Sequence, residues 1–232
     1  MKMKFLKFFI MILLFFTLGI SSVSAQEEPI VAVVVQDGKV IKMTESQHKE
    51  FEKIEDEKYK EAMKETKRRE EEAIDKGIKV GQDNTNLNKN KEKEVRPFNA
   101  GLWSTLTDVK YGSPYLDRSK RSRVSPTVGG PGSATVQYSV SVSASSNLSL
   151  DKLKGLGLSF TRSVSSDENF SVTFDIKENR KAHIEFIPRY RDITGYKKDY
   201  FDGTLLEKTF FRVSEPIKVH RFADGEYILV YE

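Results

Sequence analysis

Residues 135–143, TVQYSVSVS, put Val136, Tyr138, Val140 and Val142 on one side of an extended chain and Gln137, Ser139, Ser141 and Ser143 on the other. A period of two marks a strand with one face in a core and one in water, the habit of antiparallel sheets. Residues 170–176, FSVTFDI, repeat it with Phe170, Val172, Phe174 and Ile176 opposed to Ser171, Thr173 and Asp175. Further strands are expected over 156–164, 182–191, 205–213, 217–222 and 227–231, with turn residues at 167–169, 178–180, 202–203 and 223–225. Short strands at this spacing predict that residues 98–232 form an antiparallel β-sandwich or barrel-like domain, with one small helix over 150–154. The stretch 116–132, LDRSKRSRVSPTVGGPG, has no strand pattern and reads as an exposed loop.

Upstream the pattern changes. Residues 44–76 read as one charged α-helix, with Thr44 as N-cap, Gln47 completing a capping box and Gly77 as the stop. Acid-first pairs at i and i+4, Glu45/Lys49, Asp56/Lys60 and Glu65/Arg69, support an exposed helix at about 0.2–0.5 kcal/mol each. Its apolar residues, Phe51, Ile54, Tyr59, Ala62, Met63, Ala73 and Ile74, form a thin stripe, and Lys58 and Glu61 interrupt any heptad seam. A solvated helix resting loosely on the domain is therefore expected, in preference to a partner-binding one. Before it, residues 26–43 form a hairpin around Asp37-Gly38 that must join a larger sheet to be stable. After it, 77–97 is a polar Asn- and Lys-rich linker. The fold class expected is mainly β, α+β.

Residues 1–25 have the form of a secretory signal peptide: Lys2, Lys4 and Lys7, an apolar run from Phe8 to Ile20, and Val23 and Ala25 before a cleavage between Ala25 and Gln26. Without those three lysines the 38 basic residues fall to 35 against 34 acidic ones, so the mature net charge is +1. No global positive field remains, and nucleic acid is not an expected partner. The chain has no cysteine, which excludes disulfides, thiolate metal sites and a cysteine nucleophile. The expectation is a secreted bacterial product, released outside the cell or loosely held at its wall.

Catalytic signals are sparse. His48, His183 and His220 have no second histidine at ligand spacing, and no phosphate-binding loop, dinucleotide fingerprint, nucleophile elbow or zinc motif occurs. No enzyme activity, metal or cofactor is expected. The densest binding signal is RYRDITGYKKDYF, 189–201, where Arg189, Arg191, Lys197 and Lys198 interleave with Tyr190, Tyr196 and Tyr200. Cations for charge and aromatic faces for stacking suit a cell-wall polymer, a glycan or a membrane surface. A second signal is the basic run Arg118, Lys120, Arg121 and Arg123, a candidate proteolytic site if the loop is open.

The Ser/Val tracts carry a third signal. SVSVSASSNLSL followed by GLGLSFTRSVSS resembles, in composition and without a shared motif, the stem region of aerolysin-type toxins. That resemblance implies strands able to line a pore, with cleavage near Arg121 as activation. Arg162 departs from it, because strict alternation puts its charge beside Leu156, Leu158, Phe160 and Val164 on the lipid-facing side. The expected function is thus an extracellular, non-enzymatic binding protein, with a membrane-active or pore-forming protein as the alternative.

Overall fold

The computed structural model describes residues 28–36, 39–81, 101–136, 140–166, 172–219 and 222–232. The signal segment with Ala25 and Gln26, most of the 77–97 linker, and His220 lie outside the described residues. The architecture is mostly β, one long helix and a large antiparallel sheet in a sandwich-like α+β arrangement without a closed barrel.

The hairpin is β1 (Ile30–Gln36) and β2 (Lys39–Thr44), and it joins the sheet by pairing β1 with β17 (Gly225–Tyr231). The sheet is organised by β13 (Lys181–Phe201), a single strand where two segments were expected, a strand and a binding patch. Residues 182–188 pair with β17, and from Tyr190 onward the same side pairs with β14 (Thr204–Pro216). Its opposite side takes β4 (Leu102–Tyr111) and β5 (Tyr115–Leu116), then β6 (Ser122–Arg123) and β7 (Val128–Gly129). The 116–132 stretch is therefore not an open loop. Its short strands dress the edge of β13, with a 3-10 turn over Arg118–Lys120 between them. β3 (Lys79–Val80) pairs in parallel with β14, so the linker begins later than Gly77.

Pro188 and Gly195 mark where β13 changes partners. Pro188 has no N–H, and its carbonyl accepts from Asp117 N at 2.9 Å as the strand passes from one neighbour to the next. At Gly195 an added Cβ would stand 2.8 Å from the Phe211 ring and 3.2 Å from the Thr107 carbonyl, so only glycine lets β4 and Phe211 close on the strand. β13 and β14 meet in a two-residue turn, Asp202-Gly203, with φ of +44° and +79°, the signature of a type I′ hairpin.

Two layers cover the sheet. On one face lies helix α1 (Glu45–Asp75), whose Thr44 N–H donates to Gln47 Oε1 at 3.1 Å as the capping box requires. On the other lies a two-stranded ribbon. β8 (Gly132–Val136) pairs with β12 (Val172–Ile176), and β9 (Val140–Ser143) pairs with β11 (Ser163–Ser166). The expected strand over 135–143 is thus two strands with different partners, 137–139 lying outside the described residues. Val136 opposes Val172 and Val140 opposes Ser166; the two strand pairs, β8–β12 and β9–β11, turn their apolar residues into one core and together make the ribbon that covers this face. The strand expected over 156–164 starts only at Ser163, because α2 (Leu150–Gly155) and the positive φ of Gly157 occupy the preceding residues. The strand expected over 217–222 is only the short pair β15 (Lys218–Val219) and β16 (Phe222–Ala223).

The main core lies between sheet and ribbon. Val33, Val35, Ala182, Ile184, Phe186 and Tyr227 meet Ala134, Val140, Val142, Val164, Phe174 and Ile176 there. Beneath α1 a second cluster joins Ala32, Val34, Met43, Ile187 and Ile228, with Phe51 of the helix against it.

Candidate functional site

Helix α1 does not rest loosely. It touches the sheet through His48, Glu55, Ala62 and Arg69 at seven-residue spacing, with Tyr59, Thr66 and Ala73 between them. His48 Nε2 lies 2.6 Å from Glu226 Oε1, Glu55 Oε2 accepts from Arg189 Nη1 at 2.7 Å, and Thr66 Oγ1 donates to Asp192 Oδ2 at 3.0 Å. Arg69 donates to the carbonyl of Asp108 at 2.9 Å, to its carboxylate at 2.7 Å, and to Thr194. This is a heptad seam built of polar residues, invisible to a search for apolar ones. Two of the expected intrahelical pairs are also replaced. Asp56 pairs with Arg118 rather than Lys60, and Glu65 pairs with Arg68, which leaves Arg69 free to turn inward.

The seven residues of the expected binding patch are divided by the fold. Arg189 and Tyr190 are each 2 % exposed, and Tyr196 is buried under Ala73 beside Phe210. Arg189 is spent on Glu55 and Asp224, Tyr190 donates to the Ser143 carbonyl at 3.1 Å, and Arg191 pairs with Glu215. Burial, with the charge of Asp117, pushes the Tyr190 phenol up to about 12. Arg189, Tyr190 and Tyr196 are thus enclosed, and Arg191 is partly exposed in its ion pair. The physical reason is a break in alternation: odd residues Ile187 and Arg189 meet α1, and then even residues Asp192, Thr194 and Tyr196 do.

Lys197, Lys198 and Tyr200 remain near the surface, at the far end of β13, where the sequence reading missed their neighbours. Trp103 of β4 stacks on Tyr200 with centroids 4.2 Å apart and planes 10° from parallel. Leu102, Trp103, Phe201, Leu205 and Leu206, each more than two-fifths exposed, gather at this edge. Asp199 is ringed by Lys197 and by Ser104 Oγ at 2.5 Å; burial raises its carboxyl, and those hydrogen bonds outweigh that and hold it below the ordinary range. The one signal that could have found this edge is the chain's single tryptophan, inside a strand over 102–111 that alternation does not reveal.

The basic run is pinned, not free. Arg118 pairs with Glu52 and Asp56 of α1, Lys120 lies 4.0 Å from the Tyr190 ring centre, Arg121 pairs with Glu185, and Arg123 Nε donates to the Ser125 carbonyl. A protease would have to peel this edge from β13 before reading it.

His183 is held between Glu185 at 2.9 Å and Glu232 at 3.1 Å, and His48 by Glu226, so the two described histidines tie elements together. Among the described residues no group of His, Asp and Glu has the geometry to hold a metal, and no helix is long and apolar enough to cross a membrane. An open depression of about 730 Å³ beside the ribbon is lined by Tyr111, Phe160, Arg162, Arg191, Glu215 and Lys218.

The ribbon itself is the most distinctive construction. Ala134, Val140, Val142, Val164, Phe174 and Ile176 are buried on its inner face, while Ser133, Ser141, Ser143, Ser163, Ser165, Thr173 and Asp175 are exposed on its outer face. Along β8, β9, β11 and β12 its backbone ladder runs only between its own two arms. At its closed end it is anchored by β10 (Ser145–Ser146), which pairs with β14, and by α2, whose Leu153 packs with Leu158 on Ile193, Phe211 and Val213. Arg162 stands at that end, not mid-arm, and pairs with Asp151 of α2 at 2.7 Å. The alternation that set its charge among lipid-facing positions does not apply, because 156–162 is not a strand.

No protein-family model, curated protein or solved structure matches the chain.

Proposed function

We propose that this is an exported, non-enzymatic protein that acts on membranes through the 132–176 ribbon. The observation that carries the reading is the ribbon's construction: two amphipathic strand pairs, β8–β12 and β9–β11, each laddered only within itself and held on the sheet by side-chain packing. A transmembrane β-strand needs roughly 9–11 residues with one face to lipid and one to water, and the stretches 132–143 and 163–176 are long enough in sequence to supply one each. The Val/Phe/Ile face would meet acyl chains and the Ser/Thr face a water-filled lumen. Several copies would be needed, since a two-stranded ribbon cannot close a barrel and open edges are excluded from the hydrocarbon. The apolar face is covered in the folded protein by Ile184, Phe186 and Tyr227, which keeps the chain soluble until the ribbon leaves.

The absence of native cysteine allows a clean test. Ser145 and Ser214 face each other across β10 and β14, so S145C/S214C ties the closed end of the ribbon to the sheet. Dye release from anionic vesicles should be blocked in the oxidised variant and return on reduction. Absence of leakage by the wild-type protein at micromolar concentration, before and after limited trypsin, would sink the reading.

A further inference from the structure

We infer that the β4–β13–β14 edge around Trp103 is a docking surface for an anionic lipid bilayer. The inference deepens the membrane reading above but stands on different residues.

Register sorts the edge into rows. On the Trp103 face the outermost row is Trp103, Tyr200 and Leu205; the next is Thr105, Lys198 and Lys208; the third is Thr107, Tyr196 and Phe210, closed over by Ala73 of α1. Rows on one face are about 7 Å apart. An apolar, aromatic rim is therefore followed, at headgroup depth, by a pair of lysines directly across from each other. No carboxylate stands in these three rows. On the opposite face Leu102 and Phe201 continue the rim, and the acids behind them are neutralised: Asp199 by Lys197 and Glu207 by Lys79 at 3.1 Å. Lys208 lies 4.0 Å from the Tyr196 ring centre, and among the described residues no carboxylate pairs with it.

The chemistry selects the occupant. Trp and Tyr, apolar in body with a polar tip, favour the membrane–water boundary, and lysines near the surface are attracted to anionic headgroups. Exposed leucines at Leu102, Leu205 and Leu206 add aliphatic contact that a glycan-stacking platform does not need. On the opposite face of the same three strands α2 packs on Leu106, Ile193 and Phe211, which backs the edge with a rigid layer.

Trp103 is the only tryptophan, so intrinsic fluorescence reads this edge alone. With the full-length mature protein, vesicles of phosphatidylcholine and phosphatidylglycerol should shift emission to shorter wavelength, and brominated lipid should quench it; phosphatidylcholine alone should do much less. L205S/L206S should weaken vesicle binding roughly tenfold or more, because the exposed half of each leucine contributes about half a decade or more of partitioning. K198E/K208E should abolish the preference for anionic vesicles. Circular dichroism matching wild type confirms that both variants fold. The oxidised S145C/S214C protein separates the two proposals: binding without leakage supports docking whatever the ribbon does. Unchanged emission with anionic vesicles, a shift produced instead by purified peptidoglycan, or one that follows protein concentration without lipid would overturn the inference.

Discussion

Arg189 Nη1 stands 2.7 Å from Glu55 Oε2, and neither side chain is more than 3 % exposed. Nε of the same guanidinium reaches Asp224 Oδ1 at 3.1 Å, and Lys58 Nζ reaches Glu55 Oε1 at 2.6 Å. One arginine in the middle of β13 thus fixes helix α1 and the turn before β17 at once. Buried pairs gain little over apolar replacements, but a buried charge left alone costs several kcal/mol.

R189M removes the guanidinium that Glu55 and Asp224 share and should cost about 3–5 kcal/mol in urea unfolding. E55Q removes one charge while retaining hydrogen-bonding capacity and should cost about 1–3 kcal/mol. The double variant E55L/R189M should be less destabilised than R189M alone. Additive losses across E55L, R189M and E55L/R189M would mean the two side chains are not coupled.

Arg69 plays a different part, because it holds a backbone irregularity. The β4–β13 register shifts between Thr194 and Tyr196, and Asp108 sits there with φ of +50° while Arg69 donates to its carbonyl and carboxylate. R69M should cost about 1–3 kcal/mol through its lost hydrogen bonds and raise amide exchange in β4 near residues 107–110 before it affects β17. Uniform loss of protection across the sheet would contradict a local pin.

Three phenols predict the alkaline limb of stability. Burial pushes Tyr227 up to about 12, burial and Asp117 do the same to Tyr190, and burial with Asp192 carries Tyr115 higher still. A tyrosine in the unfolded chain ionises near 10, so between pH 10 and 12 the unfolded state loses protons that the folded state keeps. Stability is then unaffected by these groups below pH 10 and falls above it, by at most about 1.4 kcal/mol per pH unit for each phenol. Y227F should flatten that fall in urea titrations at pH 10–12, and a slope equal to wild type would refute the assignment.

The half-buried elements were legible and the doubly buried ones were not. Hairpin β1–β2, the capped helix and the I′ turn at Asp202-Gly203 each have a local signal that tertiary packing did not override. β13 is packed on both faces from Phe186 to Tyr196, so alternation vanishes, and charges such as Arg189 and Asp192 look like surface while being enclosed. Asp192 needs four partners from three elements, Thr66, Tyr115, Arg212 and Ser214, and no sequence window contains them together. The same blindness hid the Trp103 edge, whose members are brought together only by the β4–β13–β14 register.

The ribbon should open as a unit before the sheet does. Its ladder amides at 132–136, 140–143, 163–166 and 172–176 pair within the ribbon, so separating it from the sheet breaks apolar contacts and the anchors at its closed end, and leaves that ladder whole. Sub-global opening of such a piece is less costly than unfolding β13, which is laddered on both sides. Phe174, fully buried between ribbon and sheet, is the residue through which the two energies can be told apart. F174A should lower the ribbon-to-sheet attachment by about 3–5 kcal/mol, expose apolar surface that binds a reporter dye, and raise vesicle leakage. Protection of β13 against β17 at residues 182–188 should fall less. Equal loss at both places, or leakage that declines as attachment weakens, would mean that ribbon and sheet form one cooperative block and that the ribbon does not leave it.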